Sequence, residues 1–277
     1  MISLFIEEVI QYGFFQKALL TGVAVGIVCG VIGCFIVLRG LALMGDAISH
    51  AILPGVAISY MLGINFFIGA AIVGLLAALG IGFINRNSIV KNDAAIGIVF
   101  SLFFAVGVLM IAKAKTAIDL TQILFGNVLT VSDTDRTMTL IIGGLVLLLV
   151  FVFYKELVLT SFDPVMAEAS GMKVGLIHYL LMLMLTLVTV VSLQTVGVIL
   201  VVSLLITPAS TAYLLTARMS TMIFLSAAIG AISAIVGLFF SFSFNLSSGP
   251  SIVVVATAIF ILAFIFAPRR GLIAKYL

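Results

Sequence analysis

Charge is nearly absent from this chain. Only 8% of its 277 residues are charged, 13 basic and 10 acidic, where a soluble domain carries about 25%. So few ionic groups cannot cover a water-facing surface of this size, which excludes an ordinary soluble domain. Disorder is excluded by the same figures, because it requires low hydrophobicity with high charge. Cysteine is scarcer still. Cys29 and Cys34 lie five positions apart in one apolar run, about 140° apart around a helix, so they neither bridge nor share a ligand and read as small packing residues. Catalytic signatures are missing as well. There is no G-x-x-x-x-G-K-[ST] phosphate loop, no H-E-x-x-H and no G-x-S-x-G, so neither ATP hydrolysis nor zinc or serine hydrolysis is expected from this chain. An intramembrane aspartyl protease would need two buried acids sharing a proton. Nor is a cleavable signal expected, since Glu7 and Glu8 stand where basic residues belong.

What the chain has is apolar length: 64% hydrophobic residues and a mean hydropathy of +1.44. A bilayer core about 30 Å thick needs about 20 apolar residues per helix. That ruler gives spans at 15–38, 42–62, 66–84, 93–112, 138–154, 177–193, 195–216, 222–244 and 251–267. The sixth and seventh are parted only by Ser192–Gln194, so the count is eight or nine. The fold class is therefore an all-α polytopic membrane protein, with residues 1–277 forming a single transmembrane domain. Residues 1–14 read as a segment lying along the surface, 113–137 as a long outer segment, and 155–176 as a long cytoplasmic loop. With nine spans, one orientation puts Arg39, Arg86, Lys91, Lys155, Lys173, Arg218, Arg269, Arg270 and Lys275 inside and leaves Lys17, Lys113, Lys115 and Arg136 outside. The positive-inside tendency selects it, with the N-terminus outside and the C-terminus cytoplasmic. The net charge of +3 reflects these basic loops and gives no reason to expect nucleic acid.

Two spans carry distinct signals. Gly22, Gly26 and Gly30 repeat every fourth residue in the first, a flat stripe that lets another helix approach closely. In the second, Asp46 and His50 lie four apart and so share a face. Asp46 is the one acid placed inside a span, at a cost of about 2.5–3.5 kcal/mol, and His50 is the one histidine placed well inside a span. The pair admits three readings: a site for a divalent metal, a proton relay, or a buried hydrogen bond in which each satisfies the other. Two ligands hold a metal loosely, which suits an ion that must leave again, and a symmetry mate could supply more. Ser49 adds an oxygen nearby, and Pro54 bends the helix beyond the pair. In the seventh span Ser203, Thr207 and Ser210 surround Pro208, a kink that could line a pathway.

The runs GDAISHAILPGVAISY (45–60), LFGNVLTVSDTD (124–135) and VSLLITPASTAYLL (202–215) resemble the membrane permeases of bacterial ABC importers for manganese, zinc or iron, and the streptococcal manganese-transporting members in particular. The resemblance runs over nearly the whole chain. It implies a fold like that of the vitamin B12 importer permeases and a second permease copy around a central pathway. It also implies two cytoplasmic ATPase subunits and an extracellular metal-binding lipoprotein that delivers the ion, with membrane lipid around them. Asp46 and His50 match the family's metal-pathway positions. Asp163, Glu168, Ala169 and Gly171 match its ATPase-coupling loop, although the longer EAA-type motif of other importers is not present there. A carboxylate with an imidazole suits Mn(II), Fe(II) or Zn(II) and not soft Cu(I). The resemblance favours Mn(II) as the transported ion, with Zn(II) and Fe(II) as alternatives and no tightly bound cofactor. A proton-coupled secondary metal transporter is the competing mechanism.

Overall fold

The structure, a computed structural model, describes residues 11–114, 128, 131–267 and 271–273. Twelve helices make it up: α1 (Gly13–Leu38), α2 (Ala42–Ala51), α3 (Leu53–Leu62), α4 (Phe66–Asn87), α5 (Asn92–Ala114), α6 (Asp133–Val152), α7 (Tyr154–Phe162), α8 (Pro164–Ala169), α9 (Val174–Val196), α10 (Val198–Leu215), α11 (Met219–Phe244) and α12 (Ser248–Phe266). No strand occurs among the described residues. With α2 and α3 counted as one span, nine segments among the described residues are long and apolar enough to cross a bilayer, the higher of the two counts expected. Residues 1–10 and most of 113–137 lie outside the described residues. The surface placement expected for them is therefore not part of the fold described.

The sixth and seventh spans part at Gly197 (φ 82°, ψ 163°), not at Ser192–Gln194. Ser192 is buried inside α9, its Oγ 3.9 Å from Cys29 Sγ. A polar residue is tolerated in a helix when it faces another helix, whereas that backbone conformation favours glycine. The fifth span likewise begins at Asp133 rather than 138. Ser132 caps it by accepting from the Asp135 N–H at 3.1 Å, and two acids in the first turn suit the helix dipole.

Helix α1 is the hub, packed on α10, α11, α6 and α9, and its glycine stripe shows why. A Cβ on Gly26 would stand 2.6 Å from the Gly230 carbonyl oxygen of α11, and one on Gly30 would stand 2.8 Å from that of Ser226. Only glycine permits this approach, and Ser226 Oγ then donates to the Gly30 carbonyl at 2.8 Å. Cys29 and Cys34 are free and buried in this helix. By contrast α5, α6 and α12 expose much of their length, including Leu109 on α5 and Phe151 on α6. Such faces are at home against lipid tails or another apolar subunit.

Candidate functional site

The second span is broken, and the break follows from Pro54. Proline has no N–H to give the carbonyl four residues back, here that of His50. N–H groups at the junction instead close onto the carbonyls of Ile48 and His50, ending α2 at Ala51 and starting α3 at Leu53. Helix α5 fits against this junction because Gly107 faces it: a Cβ there would lie 2.6 Å from Leu53 Cβ. Helix α2 packs Met44, Gly45, Ala47, Ile48, Ser49 and Ala51 inward. Its open face carries Leu43, Asp46 and His50, at i, i+3 and i+7.

On that face Asp46 Oδ1 lies 3.6 Å from His50 Nε2, with the two side chains 47% and 21% exposed. This separation is too long for a hydrogen bond, so the reading in which each simply satisfies the other loses its geometry. It is short enough for both atoms to reach one divalent cation, at ligand distances of about 2.0–2.2 Å. Neither imidazole nitrogen makes a hydrogen bond among the described residues. Two phenyl rings of α5 orient the ring instead: Phe100 at 5.7 Å between centroids and 74°, and Phe104 at 5.8 Å and 85°. These rings stack on each other at 5.7 Å. Nothing in the sequence singled them out, since a Phe at i and i+4 in an apolar helix also describes a lipid-facing stripe.

Among the described residues no group of three or more His, Cys, Asp or Glu could hold a metal ion. Asp46 and His50 thus stand on this face with no third such side chain beside them among the described residues. The other residues expected at the pathway stand apart from this face. Ser49 is buried and donates its hydroxyl to the Gly45 carbonyl at 2.8 Å. Ser203 Oγ is buried without a hydrogen-bond partner among the described residues. The Thr207 carbonyl accepts the Thr211 hydroxyl at 2.7 Å, one turn along the Pro208-containing α10.

The 155–176 stretch folds as α7, α8 and a return into α9. Asp163 caps α8, accepting from the Met166 N–H at 2.8 Å, and Pro164 occupies the first turn. At the other end Gly171 takes φ +81°, and the N–H groups of Gly171 and Met172 close on the carbonyls of Glu168 and Ala167 at 2.9 and 3.1 Å. That pairing is a Schellman stop, which favours glycine. Ala167 alone in α8 is buried, while Val165 and Met166 are 76% and 56% exposed, as are Glu168 and Ala169. Behind α8 lies a cavity of about 440 Å3 lined by Arg39, Asn85, Thr160, Glu168, His178 and Tyr179, among others. Burial lowers the pKa of Arg39 to about 10, so its guanidinium stays charged at neutral pH.

Comparison with known proteins identifies the family. The ABC 3 transport family matches residues 11–267. The chain is 65% identical to the manganese transport system membrane protein MntC of Listeria innocua, over 98% of this chain and 96% of that protein. It is 54% identical to the manganese import system permease protein ScaB of Streptococcus gordonii, over 98% and 97%. A solved chain in PsaBC from Streptococcus pneumoniae in complex with Fab superposes with a TM-score of 0.90, 51% identity and full coverage of both chains.

Proposed function

The chain belongs to the ABC 3 transport family, and from that premise we propose that it is the membrane-spanning permease subunit of an ATP-driven importer for Mn(II). It is a multi-pass protein of the bacterial cell membrane and not itself an ATPase: hydrolysis belongs to a separate partner chain of the ABC transporter. Asp46 and His50 line the ion's path. One observation carries this reading: a carboxylate and an imidazole 3.6 Å apart on the open face of a broken span. A carboxylate that is 47% exposed is costly against lipid. A second copy of the chain covers it, turns its own Asp46 and His50 to the same ion, and raises two ligands to four. Hard oxygen and borderline nitrogen ligands suit Mn(II), and the manganese assignments of MntC and ScaB favour it over Zn(II) or Fe(II). A site of modest ligand number, with an imidazole held by phenyl rings and not by a hydrogen-bonded carboxylate, binds loosely enough to release.

The N-terminus lies outside and the C-terminus in the cytoplasm, which puts α7 and α8 on the cytoplasmic side. There Asp163, Glu168, Ala169 and Gly171 form the turn that two ATPase subunits engage, with Val165 and Met166 as its apolar contact. An extracellular metal-binding lipoprotein delivers the ion to the opposite face. Purified complex in sealed vesicles tests the reading. ATP with its ATPase partner drives manganese accumulation, and a proton gradient without ATP does not. Accumulation driven by the gradient alone would assign the chain to secondary transport.

A further inference from the structure

The motif that ends α1 has a partner the metal pathway does not use. Arg39 Nε donates to Ser161 Oγ at 3.0 Å and Nη2 to Thr160 Oγ1 at 2.6 Å. Those hydroxyls are oriented to accept. Thr160 gives its own hydrogen to the Glu156 carbonyl at 2.7 Å, and Ser161 gives its hydrogen to Leu157 at 2.6 Å, which leaves lone pairs for the fork of the guanidinium. Among the described residues no carboxylate lies within ion-pair distance of Arg39. The contact is thus a two-pronged tie to the last turn of α7, immediately before the Asp163 cap of α8.

On its other side Arg39 leads into α2 through a short turn held to the last turn of α1. Arg39, Gly40 and Leu41 donate to the carbonyls of Phe35, Val37 and Ile36 at 3.2, 3.1 and 3.0 Å, with Gly40 at φ +67°. Leu41 is buried, and its carbonyl accepts the Met44 N–H at 2.9 Å. Asp46 follows within the next turn and His50 one turn later. Helix α8 itself is loosely seated, with one buried residue and the cavity between it and Arg39, His178 and Tyr179. A loosely seated element, a rigid tie and a metal-bearing helix make a lever.

We propose that Arg39 is a positioning residue, which carries displacement of the α7–α8 element to the helix that holds Asp46 and His50. The inference rests on the importer reading given above and adds a residue to it. A shift of about 1 Å in a working group costs up to about 100-fold in rate, so a small movement of α2 suffices to change how the ion is held.

The test uses the whole complex with its ATPase in sealed vesicles, reading manganese uptake and ATP hydrolysis together. Arg39→Ala is expected to hydrolyse ATP within about twofold of the parent while uptake falls about tenfold or more, as expected for lost alignment. The pair Thr160→Val with Ser161→Ala removes the acceptors and keeps every charge. It should show the same lowered ion-to-ATP ratio, and adding Arg39→Ala to it should lower the ratio no further. Arg39→Lys keeps the charge without the fork and is expected to fall between. A merely structural role would lower assembly, hydrolysis and uptake together, and that outcome overturns the proposal, as does an unchanged ratio in the hydroxyl pair. Should Arg39→Ala not assemble, the hydroxyl pair decides. A parent complex with no ATP-driven uptake would instead overturn the importer reading itself.

Discussion

The imidazole of His50 stands edge-to-face with Phe100, their centroids 5.7 Å apart at 74°, and Phe104 repeats the contact one turn along α5 at 5.8 Å and 85°. In the proposed path, a ligand that must point at an ion for a short time is held by aromatic contacts and by no hydrogen bond among the described residues. That gives the site orientation without the added basicity a carboxylate partner would confer.

Loosening this clamp should weaken ion capture without dismantling the protein. An edge-to-face pair contributes about 0.5–1.5 kcal/mol, so Phe100→Leu or Phe104→Leu is expected to raise the half-saturating manganese concentration by about 2- to 12-fold. Uptake kinetics on assembled complex would measure it. An unchanged half-saturation in both variants would leave the rings as lipid-facing filler.

The glycine stripe of α1 makes a graded prediction. Gly26→Ala drives a methyl into the Gly230 backbone, 2.6 Å from its oxygen, and such overpacking costs about 1–3 kcal/mol. Gly22→Ala meets Ala234 Cβ at 3.7 Å, an ordinary contact, and should be close to neutral. Thermal unfolding of the purified variants should show a lowered Tm for the first and none for the second.

Pro54 offers a separation of stability from activity. Pro54→Ala restores a donor for the His50 carbonyl and lets α2 run on into α3, which re-aims the side chains of Asp46 and His50. Its Tm should be unchanged or higher while uptake falls. A variant with full uptake would show that the break is incidental to the path.

In the proposed docking, the apolar pair of α8 bears on assembly alone. Met166→Asp or Val165→Asp places a charge on an exposed turn, at little expense to the fold, since surface changes are usually within about 0.5 kcal/mol. Co-purification with the ATPase should be lost while the permease is still found in the membrane.

Much of this was legible in the sequence. The eight or nine spans, the isolated Asp46 and His50 on one helical face and the bend at Pro54 all follow from hydropathy, helical spacing and proline's missing donor. The boundaries were less legible. Polar Ser192 resembles a gap but is satisfied against α1, while Gly197 marks the real one through its backbone alone. Asp133 resembles a loop residue until Lys17 of α1 pairs with it at 2.7 Å. Phe100, Phe104 and the Arg39 tie were not legible, because each draws its meaning from a partner far along the chain. Within an all-apolar span an aromatic that clamps a ligand and one that faces lipid look alike.

The most direct test of the account is ATP-driven manganese uptake by vesicles carrying Asp46→Ala permease together with its ATPase. Uptake is expected at background, with the complex assembled in normal amounts. Uptake at the parent rate would contradict the assignment of Asp46 and His50 to the ion's path.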